Sequence, residues 1–345
     1  MKKILVTGGA GYIGSHAVVQ LLENNYEVIV VDNLSNSRLE SLDGVEKITG
    51  KRPEFVKLDL QDTAATADFF ASHTGIAAVI HFAASKAVGE SVANPLMYYR
   101  NNLQGLINVM EGMLAEDVPA LIFSSSATVY GQPDDLPVTE ETPILPANSP
   151  YGNTKQICEE IIRETVHANE KLNAISLRYF NPVGAHESAL IGEFPLGVPN
   201  NLLPFITQTG IGLREQLSVF GSDYNTPDGT CIRDYIHVVD LVDAHLVALE
   251  RLIEGKNEER YEVFNLGTGS GYSVLEVIKA FEKESGVELK YQLVDRREGD
   301  VENIYADPAL ANKKLGWTAK LGLEEMVRSA WKWEKYCRET EAVEQ

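Results

Sequence analysis

Cysteine is scarce in this chain: Cys158, Cys231 and Cys337 are far apart, odd in number and include no CxxC pair. That pattern excludes a disulfide framework and suits a reducing compartment, the cytoplasm. Basic residues are in deficit, with 30 Lys and Arg against 50 Asp and Glu and a formal net charge of -20. Nucleic acids and anionic membranes reward clustered lysine and arginine, so neither is expected as a partner. A small phosphorylated ligand stays open wherever a few basic side chains converge. No apolar run approaches the length of a membrane span, and the opening run Ile4-Leu5-Val6 gives way to Thr7 and glycine too soon for a secretory signal. There are no internal repeats and no low-complexity tracts. What remains is a globular composition, 44% hydrophobic and 23% charged over 345 residues, which suits two lobes sharing a cleft.

Short β-branched runs alternate with longer amphipathic stretches, the pattern of a parallel sheet with crossover helices. Strands are expected at 3–7, 27–32, 54–58, 78–83, 120–124 and 174–180. Helices are expected at 13–24, from Asn94-Pro95 toward Glu116 with Asn94 as N-cap, at 150–169 and at 240–252. After Asn181 the prolines Pro182, Pro195, Pro199 and Pro204 break this rhythm. We therefore expect a nucleotide-binding unit over 1–181, to which 235–266 returns, and a smaller C-terminal α/β lobe over 182–345.

The first strand runs into Gly8-Gly9-Ala10-Gly11-Tyr12-Ile13-Gly14. Gly8, Gly11 and Gly14 stand where a backbone must turn tightly, approach a pyrophosphate and pack a helix on a sheet, with the helix N-terminus facing the phosphates. The second strand ends in Asp32, placed to hydrogen-bond an adenosine ribose and to repel a 2′-phosphate. A Rossmann-type doubly wound sheet binding NAD rather than NADP follows, with Arg38 the one nearby residue that argues the other way. Asp59 closes the third strand as an adenine-side contact.

The fifth strand ends in Ser124-Ser125-Ser126, and Tyr151 and Lys155 stand four apart at the start of a helix, hence on one face. A phenol is a poor base at neutral pH unless positive charge favours the phenolate, and Lys155 with an oxidised nicotinamide ring would supply it. Ser126 is placed to hold a substrate hydroxyl and share its proton. His237, Asp240, Asp243 and His245 cluster in sequence, but their spacing does not put two histidines on one helical face. No metal is expected, and Asp240 reads as an N-cap. His81, inside an apolar strand, reads as a core residue.

Together these residues resemble the UDP-glucose 4-epimerase family of extended short-chain dehydrogenases/reductases. The resemblance runs from the first strand to about Trp333. It rests on Val6-Thr7-Gly8-Gly9, Asp32-Asn33-Leu34, His81-Phe82-Ala83-Ala84, Lys86 to Ser91, Ser124 to Gly131, Pro150-Tyr151-Gly152, Arg178 to Gly184, Arg233 to Val238 and Arg296 to Asp300. It implies that Tyr151 takes the C4 hydroxyl proton of a UDP-hexose while hydride passes from C4 to tightly held NAD+. The 4-keto sugar then rotates and takes the hydride back on its other face.

By the same resemblance the cofactor meets Tyr12 and Ile13, Asn33, Asn36 and Ser37, Asp59 and Leu60, Phe82, Ala83 and Ala84, then Lys86 and Asn101. Ser124 and Phe180 join it beside Tyr151 and Lys155. The substrate side is Lys86, Ser126, Tyr151, Asn181, Asn201 and Leu202, then Ser218, Phe220, Arg233, Tyr235, Arg297 and Asp300. Arg233 and Arg297 offer bidentate guanidinium contacts to a diphosphate. Ile304 stands four residues after Asp300, at a position that faces the sugar. There a bulky Tyr goes with exclusion of N-acetylated hexoses and a small residue with their acceptance, so Ile304 implies slower turnover of the UDP-N-acetylhexosamines. The family implies a homodimer joined through helices at about 95–116 and 150–169.

Related nucleotide-sugar dehydratases carry an Asp-Glu pair after the fifth strand and decarboxylases a Glu. Ala127 and Thr128 stand there instead, leaving no acid to protonate a departing hydroxyl. A non-catalytic NAD-binding sensor or scaffold would lack Tyr151 and Lys155, which are intact.

Overall fold

A parallel strand covered on both faces must be apolar without interruption, and Ile4, Leu5 and Val6 have no exposed surface. The computed structural model, which describes residues 1–297 and 301–343, builds a parallel sheet around them. In chain order it begins β1 (Lys3–Thr7), α1 (Tyr12–Glu23), β2 (Glu27–Asp32), α2 (Glu40–Thr49), β3 (Glu54–Lys57), α3 (Thr63–Ser72) and β4 (Ile76–His81). Then come α4 (Val88–Ala93), α5 (Pro95–Tyr99), a π turn over Arg100–Gln104, α6 (Gly105–Ala115), β5 (Ala120–Ser126), α7 (Pro150–Ala168) and β6 (Asn173–Tyr179). Next are β7 (Asn181–Val183), α8 (Leu202–Gly210), β8 (Leu217–Phe220), β9 (Ile232–Arg233), β10 (Tyr235–His237), α9 (Val238–Ile253) and β11 (Tyr261–Leu266). The chain closes with β12 (Tyr272–Ser273), α10 (Val274–Ser285), β13 (Tyr291–Val294), β14 (Asn303–Ile304), α11 (Ala309–Leu315) and α12 (Leu323–Val343).

The seven-stranded sheet has the order β11-β6-β5-β4-β1-β2-β3, all parallel. Its order reverses between β1 and β4, so the crevice that doubly wound sheets use for ligands opens at the carboxyl ends of those strands. One face is sealed by apolar side chains of α1 and α9, among them Val18, Leu21, Leu241 and Leu249. The other is sealed by α3, α6 and α7 through Phe69, Phe70, Val109, Met113 and Ile162. A third core gathers Ile206, Val219, Ile278, Phe281, Met326 and Val327 from α8, β8, α10 and α12. Small sheets β7–β10, β12–β9–β14 and β8–β13 surround it. Among the described residues no helix is long and apolar enough to cross a membrane.

Three local expectations need correction. β4 ends at His81 rather than at Ala83: the Phe82 N–H still donates to the Thr7 carbonyl at 3.0 Å, but the Ala83 N–H reaches the Thr7 side-chain hydroxyl instead. Asn94 makes no side-chain capping bond, and the helix beyond it widens into the π turn. Asn101 and Asn102 face inward there: the Asn102 amide donates to the Ser85 carbonyl and to Thr154 Oγ1, each at 3.0 Å. Asp240 does not cap α9. His237 does, its Nδ1 accepting from the Val239 N–H at 3.1 Å, while the Asp240 carboxylate accepts from the Lys320 and Leu321 N–H groups at 2.8 Å each.

The catalytic end of the sheet is braced by a buried polar network. Arg178 on β6 is bidentate to Glu159 on α7, with Nε–Oε1 at 2.9 Å and Nη2–Oε2 at 2.5 Å, and Ser125 on β5 donates to Glu159 at 2.5 Å. Arg178 also donates to the Tyr130 hydroxyl, which in turn donates to Asn265 Oδ1. Removing one member of such a pair strands a charge in the core. Arg178→Met should therefore cost on the order of 3–5 kcal/mol, and Glu159→Leu with Arg178→Met should recover part of it. Urea unfolding midpoints of the two variants test this; equal loss in both would mean that the pair is not what the network depends on.

Candidate active site

The loop between β1 and α1 is shaped by what its glycines leave out. Gly8 adopts φ +69°, and a Cβ on it would lie 2.8 Å from the Ala83 nitrogen. A Cβ on Gly14 would lie 2.2 Å from the Gly8 carbonyl oxygen, so only glycine lets α1 close on the loop. Gly11 forms the N-cap and contributes no side chain. Backbone N–H groups are thereby left at a helix N-terminus with room for an anion. At the end of β2 the Asp32 carboxylate accepts from the Ala10 N–H at 3.1 Å, the Leu34 N–H at 2.9 Å and the Ser37 hydroxyl at 2.8 Å. A carboxylate has about four acceptor positions, so one is left for a ribose hydroxyl. This cradle fits a dinucleotide with a free 2′-hydroxyl.

At the end of β5 three serines point in sequence to different tasks. The Ser124 carbonyl accepts from Lys155 Nζ at 2.6 Å, Ser125 reaches Glu159, and Ser126 meets the Tyr151 phenol. The Ser126 Oγ already accepts from the Thr128 N–H at 3.2 Å and the Thr128 hydroxyl at 3.0 Å. Both lone pairs are thus used, which leaves its hydroxyl proton for another partner. Burial pushes the Tyr151 phenol up to about 12, and the bond from Ser126 pulls the other way. Lys155, 4% exposed, is brought down to about 8 by burial. Its ammonium sits 6.0 Å from the Tyr151 ring centroid and 4.7 Å from that of Phe123. One of its three N–H bonds is spent on Ser124, leaving two for a ligand. His81 bonds Thr7 Oγ1 at 2.8 Å, and burial drops it to about 3, so it is neutral.

A single cleft of about 1080 Å³ joins these two regions. Every residue expected on the cofactor side lines it, from Gly8 through Asp32, Asp59, Asn101 and Ser124 to Phe180. Of the residues expected on the substrate side, Lys86, Ser126, Tyr151, Asn181 and Asn201 line it as well. The other described ones do not line it. Ser218 and Phe220 lie on β8 against β13, with the Arg297 guanidinium 5.9 Å from the Phe220 ring centroid. Arg233 on β9 is flanked by Tyr272 and Ile304, and Tyr235 and Leu202 pack in or on the third core. Ile304 is buried with Ala127 and Phe180. Asp300 lies outside the described residues.

Some contributors were invisible in the sequence. The Tyr179 hydroxyl bonds Ser124 Oγ at 2.5 Å because the β5–β6 register brings both strand ends together. Glu193, in an irregular segment, reaches Lys86 at 3.3 Å and Asn201 at 2.7 Å. No local motif marks either residue.

Comparison with known proteins agrees with this geometry. The chain is 55% identical over 331 residues to the UDP-glucose 4-epimerase of Bacillus subtilis, covering 96% of each, and 52% identical over 340 residues to the human enzyme, covering 97% of each. The chain belongs to the UDP-glucose 4-epimerase family. The broader family described as GDP-mannose 4,6 dehydratase matches residues 5–330. Among solved structures, the Bifidobacterium longum UDP-glucose 4-epimerase in complex with NAD+ and UDP is 47% identical, covers 97% of this chain and 98% of its own, and superposes with a TM-score of 0.93. The Stenotrophomonas maltophila UDP-glucose 4-epimerase, with bound NAD and formylated UDP-arabinopyranose, is 46% identical with a TM-score of 0.94, over 99% and 100% of the two chains. Thr128, which follows Ala127 after β5, donates both its N–H and its hydroxyl to Ser126 Oγ.

The Asp32 geometry makes a direct prediction. Asp32→Ala removes the anchor of the loop and the acceptor for a ribose hydroxyl, so NAD+ affinity should fall about 10- to 100-fold, the worth of a charged hydrogen bond. NADP+ affinity should fall less, narrowing the preference. Calorimetric titration of cofactor-stripped protein with each dinucleotide reads both, and an unchanged ratio would place the 2′-discrimination elsewhere.

Proposed function

We propose that this protein interconverts UDP-glucose and UDP-galactose by oxidation at C4, rotation of the 4-keto sugar and re-reduction on its opposite face. The observation that carries the reading is the Lys155–Tyr151–Ser126 arrangement at the carboxyl end of β5, inside the cleft that the glycine loop and Asp32 also line. Bound NAD supplies a hydride acceptor and, once reduced, a donor, so the cycle closes without net redox change.

The chain's own residues handle the proton. Tyr151 takes it from the C4 hydroxyl, with Ser126 beside it lowering the phenol against the effect of burial. Burial alone opposes phenolate formation, so a base needs positive charge brought to it. Lys155 provides this, because its carbonyl tether holds the ammonium on the Tyr151 side of β5. Lys86, Asn181 and Asn201, which line the cleft, hold one side of the diphosphate. Ser218, Phe220, Arg233, Arg297 and Asp300, together with Leu202 and Tyr235, take the uridine and the other side of the diphosphate. A cleft volume of about 1080 Å³ lies just above the usual range for small-molecule sites, roughly 300–1,000 Å³, as a dinucleotide beside a turning sugar requires.

A homodimer in the cytoplasm completes the proposal. The first of the helices expected to pair carries exposed Leu96 and Met97, 76% and 40% accessible, and none of the three cysteines forms a disulfide. The residues 1–181 with 235–266 hold the cofactor, and the remainder is mainly the lobe for the sugar nucleotide.

Tyr151→Phe should reduce turnover of UDP-galactose by about 10²- to 10⁴-fold, the usual worth of a general base, while UDP still binds. In the wild type no free NADH should accumulate; stoichiometric release would make the protein a dehydrogenase. Because the phenol acts only after losing its proton, the rate rises with pH through the Tyr151 ionisation. Lys155→Met should move that limb upward by about 1–3 pH units. An unmoved limb in the kcat/KM profile would remove Lys155 from the electrostatic role.

Ile304, packed against Phe180 and Ala127, makes the wall beside the sugar apolar and of intermediate depth. UDP-N-acetylglucosamine should turn over more slowly than UDP-glucose. Ile304→Tyr should lower the ratio of acetylated to plain kcat/KM roughly tenfold and Ile304→Ser should raise it, since an apolar wall discriminates by about 1–3 kcal/mol. If neither ratio moves, Ile304 is a packing residue only.

A further inference from the structure

Glu193 sits in the segment that crosses from β7 to α8, and nothing in its local sequence assigns it a task. Its backbone is pinned from two sides. The Trp333 indole N–H of α12 donates to the Glu193 carbonyl at 2.9 Å, and the Arg38 guanidinium lies 3.8 Å from the centroid of the next ring, Phe194. The preceding residue, Gly192, lies so close to Trp333 that a Cβ there would be 2.4 Å from the indole. These contacts hold the main chain, and none of them involves the Glu193 side chain.

That side chain points into the cleft. Oε1 is 3.3 Å from Lys86 Nζ and accepts from the Asn201 amide at 2.7 Å. The carboxylate is mostly covered, with 14% of its side chain exposed, whereas Lys86 is 44% exposed. Its field is felt by the neighbouring Tyr12 phenol, which burial and then Glu193 raise well above the usual tyrosine value. Lys86 and Asn201 are both donors that the proposed function gives to the sugar nucleotide. A carboxylate holding them occupies the place that an incoming anion needs.

We infer that Glu193 is an internal counter-anion, which holds Lys86 and Asn201 in the nucleotide-free enzyme and is displaced from them by the diphosphate of the ligand. This inference rests on the UDP-sugar reading of the site. Its physical logic is competition. The diphosphate carries more charge than one carboxylate and wins, but the Lys86–Glu193 attraction is subtracted from its affinity. When the nucleotide leaves, the carboxylate returns and Lys86 is never left unpaired. Glu193 thus lowers the affinity of the cleft for nucleotide and favours release of product, and it keeps both donors in place between turnovers. It is a positioning residue, since it acts on the ligand through Lys86 and Asn201.

The test uses the NAD-loaded protein and UDP as the probe. Glu193→Gln keeps an acceptor for Asn201 but removes the charge. It should tighten UDP about three- to fivefold in calorimetric titration, the fold-change expected for a partly exposed ion pair. KM for UDP-galactose should fall by a similar factor. Adding Lys86→Met should abolish the difference, because Glu193 then has no cation to compete for. Unchanged or weaker binding in Glu193→Gln overturns the inference. So does tightening that persists undiminished beside Lys86→Met, which would make Glu193 part of the general field rather than a competitor for one lysine. A wild type that fails to bind UDP at all would instead remove the functional reading on which the inference stands.

Discussion

A buried ammonium tied to a backbone carbonyl organises this site. Lys155 is enclosed by protein, and its bond to the Ser124 carbonyl joins the start of α7 to the last turnless residues of β5. An uncompensated charge in that position would be intolerable, so the surroundings are built to hold it. The next turn of α7 contributes Glu159, which takes Ser125 and Arg178, and the serine on either side of Ser125 then faces the cleft at a fixed angle. The same constraint explains why three consecutive serines occur in a strand that is otherwise apolar. Each satisfies a different polar partner at the one end of the sheet where helices do not cover it.

The cofactor half follows from a second constraint, the absence of side chains. Gly8 and Gly14 let the loop, α1 and the exit of β4 touch, and Asp32 locks the result by accepting from Ala10 and Leu34. Function then depends on the two halves meeting. Tyr12 in the first turn of α1 donates to the Gly184 carbonyl at 2.6 Å, linking the glycine loop to the segment that leads into the second lobe.

Much of this was legible in the sequence, because it is written in short-range signals. The strand–glycine–helix succession, the acid at the end of β2 and the i, i+4 pair of Tyr151 and Lys155 each need only neighbouring residues to be read. The six strands expected from β-branched runs are all in the sheet. What was not legible depends on long-range pairing. The strands β7 to β10 and β12 to β14 are mostly two to four residues long and lack the length for a period to show. Asp240 looked like a cap because acids favour that position, but His237 supplied the cap and Asp240 bonded a segment eighty residues away. Tyr179, Glu193 and the Arg178–Glu159 pair are joined only by the fold, and no spacing along the chain announces them. The family resemblance named binding residues that periodicity could not, and it did not supply Glu193.

The π turn at Arg100–Gln104 carries a consequence for how this site tolerates change in chain length. A π turn is an α-helix holding one residue more than its ladder can pair. Here the surplus turns Asn101 toward Ser85 and Asn102 toward Ser85 and Thr154, tying the helix to the cleft on one side and to α7 on the other. Deleting a single residue would make the helix regular and more favourable as a helix. It would also rotate everything on one side of the deletion by about 100° and carry both asparagines off the cleft. Helical regularity and a finished site are therefore alternatives at this point in the chain, and the surplus residue is the record of which one was kept.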